Sequence, residues 1–135
     1  MNHIAIRNEV RRRVIAAAGI NPLTELKLEG QDFDNSGKAF WAEEYLIGGA
    51  QRAMTNQRSR VSSYLVQYDL CCPVGTALDT LETKAAAIES ALYDATFVVG
   101  GADCHVRQIK TSRTEGKLGN AIKVLLTIQL NTSGS

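Results

Sequence analysis

Apolar residues over the first eighteen positions recur at helical spacing: Ile6, Val10, Val14 and Ala17, with Ile15 and Ala18 widening the stripe. Gly19 stands where a left-handed residue closes a helix, Pro22 follows, and Asn2 is placed to cap the start. The pattern predicts a helix over residues 3–18. Arg11, Arg12 and Arg13 fall in its later half, toward the end that favours cations.

Past Pro22 the period shortens to two. Thr24, Leu26 and Leu28 share one face of a short strand that Gly30 ends. Residues 31–38, rich in Asp, Asn, Ser and Gly, read as a loop. Residues 39–47, with Phe40, Trp41, Tyr45, Leu46 and Ile47, predict a strand that Gly48-Gly49 breaks. A polar, basic segment over 50–60 separates it from residues 61–72. There Tyr64, Val66, Tyr68, Leu70 and Cys72 face one way, and Ser63, Leu65, Gln67, Asp69 and Cys71 the other. The two runs predict a long antiparallel hairpin with the basic segment at its tip.

Pro73 and Gly75 end that strand, and Thr76 is the expected N-cap of the next element, with Asp79 completing a capping box. Leu78, Leu81, Ala85, Ile88 and Leu92 step alternately by three and four, the seam of an amphipathic helix reaching Ala95. After a break at Gly100-Gly101, strands over 104–114 and 121–131 flank a glycine-containing turn. In the last strand Ile122, Val124, Leu126, Ile128 and Leu130 face inward; Lys123, Thr127 and Gln129 face outward, together with the apolar Leu125. The order α-β-β-β-α-β-β predicts an α+β fold: a single antiparallel or mixed sheet of about five strands with two helices packed on one face.

Length agrees with one domain over residues 1–135, and 44% apolar residues with only two prolines exclude a disordered or collagen-like chain. No apolar run approaches the roughly 20 residues of a membrane span, and the N-terminus lacks a secretory pattern, so the expectation is no membrane and a cytoplasmic start. Net charge is only +1, far from the basic excess of a sequence-independent nucleic-acid binder. The charge is uneven, however. Residues 45–68 carry Arg52, Arg58 and Arg60 and no acid, whereas residues 69–105 carry Asp69, Asp79, Glu82, Glu89, Asp94 and Asp103 against Lys84 alone. Such blocks suit contacts between complementary surfaces as well as plain solvation.

Chemistry-bearing motifs are absent. Cys71, Cys72 and Cys104 make an odd count, and adjacent strand cysteines point to opposite faces, so no metal or disulfide framework is expected. His3 and His105 have no nucleophile in a known setting, and neither a phosphate-binding glycine loop nor a nucleophile elbow occurs. Asp32/Asp34 and Glu43/Glu44 fit a solvated loop and strand better than acid–base work. Neither catalysis nor a cofactor is expected. A nucleic-acid module using the basic segment remains an alternative, although the glycine-aromatic signature of an RNA-binding sheet is missing.

The segment from Phe33 to Leu92 joins FWAEEYLIGGAQRAMTN to SRVSSYLVQYDLCCPVGTALDTLETKAAAIESAL. An aromatic-led strand, a small-residue turn, a long Tyr/Val strand, a Pro-x-Gly-Thr stop and a leucine-seamed helix follow in that order. This resembles the tail terminator (tail completion) proteins of long-tailed bacteriophages, and the flanking helix and final strands extend the likeness over nearly the whole chain. Head–tail connector or neck adaptor proteins share a similar outline. The resemblance implies a virion protein, assembled in the host cytoplasm. It would form a homohexameric ring that caps the tail tube, stops tube polymerisation and presents a surface to the connector or neck protein. Genomic DNA would pass through the bore without sequence-specific binding. A domain of this length is roughly 35 Å wide, so six in a ring leave a bore of roughly 15 Å radius, wide enough for duplex DNA. Candidate ring or bore contacts are Arg52, Arg58 and Arg60, and a pairing of Asp79, Glu82 and Glu89 with a neighbour's Arg11, Arg12 and Arg13.

Overall fold

A computed structural model describes residues 3–53, 60–74, 78–116 and 119–132. The elements are α1 (His3–Ala18), β1 (Leu26–Lys27), β2 (Trp41–Ala53), β3 (Arg60–Cys72), α2 (Asp79–Leu92), β4 (Thr96–Val99), β5 (Ala102–Gly116) and β6 (Gly119–Thr132). The strands form one six-stranded sheet in the order β1-β2-β3-β6-β5-β4. Only β1 and β2 run parallel; every other neighbouring pair is antiparallel. The fold is therefore α+β with a mixed sheet, as the alternation implies.

Alternation decides which side of the sheet the helices cover. Tyr64, Val66, Tyr68, Leu70 and Cys72 of β3 and Ile122, Val124, Leu126, Ile128 and Leu130 of β6 are buried on one face. Against them pack Ile6, Val10, Val14 and Ala18 of α1 and Leu81, Ala85, Ile88 and Leu92 of α2. Each buried Leu, Ile or Val removes enough apolar surface to contribute about 1.5–3 kcal/mol. The opposite face carries half-buried Gln67, Asp69, Leu125 and Thr127 and exposed Lys123 and Lys110.

Three sequence expectations need correction. The sheet has six strands rather than about five, because Thr96–Val99 forms β4 ahead of the Gly100-Gly101 turn. That strand places only Phe97 fully in the core, too little alternation to register as a strand. Gly48-Gly49 does not break β2. The strand instead takes a bulge at Ile47 and continues to Ala53, still paired with β3; the extra residue bends the strand without ending its ladder. Finally, Leu78 occupies the N-cap of α2 with no side-chain cap bond, and the helix ends at Leu92. Thr76 lies outside the described residues, as does Asn2.

The end of α1 is also held differently from the reading of its arginines. No base sits in its last turn. Instead Lys84 reaches across from α2, and its Nζ donates to the Ala18 carbonyl at 2.7 Å while lying 4.6 Å from the Phe40 ring centroid. A cation from another helix thus meets the negative end of α1.

Candidate assembly interface

The residues proposed for subunit contacts fall into three settings. Arg11 is drawn into its own subunit. It is the inward-facing acid of β2, Glu44, that claims it: Arg11 Nε and Nη2 donate to the two Glu44 oxygens at 2.9 and 2.7 Å. The Tyr68 hydroxyl donates to the same carboxylate at 2.6 Å. Glu44 is 3% exposed and Tyr68 wholly buried. Hydrogen bonding to Glu44 raises the Arg11 pKa further, and burial, with the Glu44 charge second, lifts the Tyr68 hydroxyl well above its ordinary value. Three donors, two from Arg11 and one from Tyr68, thus satisfy both Glu44 oxygens among apolar neighbours, as a buried acid requires.

Arg12 and Arg13 are paired one turn back. Arg12 donates to Glu9 at 3.0 and 2.6 Å, and Arg13 to Glu9 at 2.8 Å. The hydrogen bond from Arg12 holds the Glu9 carboxyl below its usual pKa. The Arg13 guanidinium lies 4.5 Å from the centroid of the Phe97 ring on β4. Among the three arginines, only Arg12 remains largely in solvent.

The acids divide similarly. Glu82 forms an ion pair with Arg113 of β5. Asp79 and Glu89 are exposed and in no ion pair among the described residues. Arg52 and Arg60 lie on paired backbone near the end of the β2–β3 arm, in adjacent rungs Arg52↔Val61 and Ala53↔Arg60. Arg58 lies outside the described residues.

The uncovered sheet face carries a row of charges that sequence reading did not assemble. Lys27 of β1 stands beside Glu43 of β2, Glu43 opposite Asp69 of β3, and Asp69 opposite Lys123 of β6. The two acids at the centre of the row are like charges in register. Glu43 accepts from the Trp41 indole at 3.0 Å and from the Tyr45 hydroxyl. Asp69 accepts from Gln67 at 2.7 Å, yet burial leaves its pKa raised. The hydrogen bond to Glu43, followed by burial, pushes the Tyr45 hydroxyl pKa upward. The signal for these contacts was the strand period: Lys27, Glu43 and Asp69 occupy outward positions, and register brings them abreast.

Three observations bear on chemistry. All three cysteines are buried thiols, and burial pushes Cys71 up to about 12. Burial likewise raises Cys72 and Cys104. His105 pairs with Asp94 and lines an open groove of about 460 Å³ bordered by β4, β5 and Gln129 of β6. Among the described residues no three His, Cys, Asp or Glu side chains converge for a metal.

No family and no curated protein matches the chain. Solved structures do match. A protein that bears no functional name is 17% identical with a TM-score of 0.71, covering 100% of this chain and 99% of that one. A chain from the virion of a native gene transfer agent particle is 13% identical with a TM-score of 0.58, covering 91% of this chain and 92% of that one. At these identities the likeness is one of fold, over nearly the full length of each partner.

Proposed function

We propose that this chain is a structural subunit of a virion or virion-like particle, and within it the terminator of the tail tube. The observation that carries the reading is the match of the whole fold to a chain of a gene transfer agent virion. The order of aromatic strand, long Tyr/Val strand and leucine-seamed helix, the basis of the tail-terminator resemblance, supports it from the sequence. The chain acts by shape. Six copies close into a ring on the tube, end its growth, and offer their outer surface to the head–tail connector or neck protein. DNA passes through the bore; a near-neutral subunit suits that transit, because strong phosphate binding would hold the DNA back.

Ring closure needs a heterologous contact, one surface of a subunit against a different surface of the next. The exposed Asp79 and Glu89 and the basic sequence segment with Arg52, Arg58 and Arg60 supply charges for it. Arg11 has a structural duty inside the subunit and leaves the interface set. The test is electron microscopy of particles assembled without this protein. Tails of uncontrolled length, or heads separated from finished tails, are expected. Normal tail length and normal joining would refute the reading.

A further inference from the structure

The sheet has two open edges, and they lie at its opposite ends. On one side β4 pairs, among the described residues, only with β5. On the other, β1 covers β2 at Ala42 and Glu43 alone. The Leu46 N–H is met by a Glu29 carboxylate oxygen at 3.1 Å. Beyond it, residues 48–53 of β2 have no strand on their outer side among the described residues. Unpaired backbone of this kind is a template for another chain, and proteins that must stay alone block it with lysine or proline. Neither residue occurs in Thr96–Val99 or in 46–53. Each edge shows solvent an apolar side chain instead, Val98 at 67% exposure and Ile47 at 52%.

Charge distinguishes the two ends. Residues 85–103, which run through the end of α2 and all of β4, contain Glu89, Asp94 and Asp103 and no base. Arg13, which lies over the Phe97 ring of β4, is paired with Glu9, and His105 with Asp94. Residues 46–66, which carry the free edge of β2, contain Arg52, Arg58 and Arg60 and no acid. Each edge complements the other and repels a copy of itself.

Strand sense completes the argument. From β2 through β3, β6 and β5 to β4 each step is antiparallel, so β2 and β4 run in the same direction. Rotation about a ring axis preserves the sense of a strand along that axis. We infer that β4 of one copy adds in parallel to the free edge of β2 in the next copy, joining the sheets into one continuous band around the ring. A two-fold dimer would instead set β4 antiparallel to β4, bringing the acidic segments that flank β4 in the two copies together. This inference rests on the ring reading and specifies the contact that closes it.

The test pairs Val98→Cys with Ala50→Cys in one full-length chain; the two residues occupy the outward-register set of their strands. A second pair, Val98→Cys with Gly48→Cys, covers a shifted register. The three native thiols are buried, so mild oxidation reads the engineered ones. A covalent ladder on non-reducing gels, climbing to six subunits in at least one double variant and missing from each single variant, is expected. A complementary readout uses Val98→Lys, which should shift assembly to higher protein concentration without changing the melting temperature of the subunit. Rings of native mass with no ladder in either double variant would overturn the edge contact and leave the ring reading standing. Cross-linked dimers from Val98→Cys alone would overturn it in favour of two-fold pairing. A ladder in a protein that never closes would support the edge contact and sink the ring. Solitary subunits without cross-links, even when tail tubes are supplied, would overturn both.

Discussion

Replacing Glu44 with alanine deletes the acceptor of three hydrogen bonds at once, two from Arg11 and one from Tyr68. The Tyr68 hydroxyl is fully buried and would lose its partner at a cost of about 1–3 kcal/mol. The Arg11 side chain retains 20% exposure, so its charge finds some water, which places its share at the low end for an orphaned buried ion. Together Glu44→Ala should cost about 4–6 kcal/mol, roughly 15–20 °C in melting temperature for a domain this size. Chemical denaturation followed by circular dichroism measures it. The triple change Glu44→Leu, Arg11→Met, Tyr68→Phe should recover most of the loss, because an apolar replacement leaves no orphan. If Glu44→Ala costs less than about 1 kcal/mol, or if the triple variant is as unstable as the single one, the reasoning about this cluster fails.

Other outcomes follow from the same structure. Asp69→Asn should stabilise the fold at neutral pH by less than about 1 kcal/mol, since it relieves the like charge opposite Glu43 and keeps the Gln67 contact. The pKa of Asp69 is raised in the folded state, so its contribution favours folding at low pH and is lost as pH rises through that pKa. The advantage of the Asn variant in melting temperature should therefore shrink on acidification; an advantage that grows would contradict this. Lys84→Met should cost about 1 kcal/mol by removing the cation from the end of α1, with hydrogen exchange quickening in its last turn before elsewhere. Gly119→Ala should be costly, because a Cβ there would meet the Cys72 carbonyl oxygen at 2.8 Å with φ at +153°; a melting temperature within 1 °C of the parent, roughly the effect of a neutral surface change, would show that β6 shifts freely.

The elements legible in the sequence were those with long, unbroken periods. The limits of α1 coincide with its apolar stripe and closing glycine, and the inward set of β6 is the buried set. Reading failed where a tertiary partner decided the outcome. Gly48-Gly49 looks like a break because glycine weakens an isolated strand; pairing with β3 through a bulge carries the strand across it. β4 is four residues long and depends on β5 for its definition. Arg11 looked like a surface charge because its partner is 33 residues away. A clue was present even so: Glu44 shares the inward period of Ala42 and Leu46, and an acid on a core-facing position needs a cation from another element. The opposite charges of the two sheet ends were visible as blocks in the sequence, while their placement at opposite edges required the strand order.

Ring closure is best tested by native mass spectrometry of the full-length protein across a range of concentrations, alone and with purified tail tubes. The account predicts a species of six times the 14.7 kDa subunit, free or seated on tube ends. A protein that stays at the mass of one subunit under every condition, with tube ends left uncapped, would contradict it.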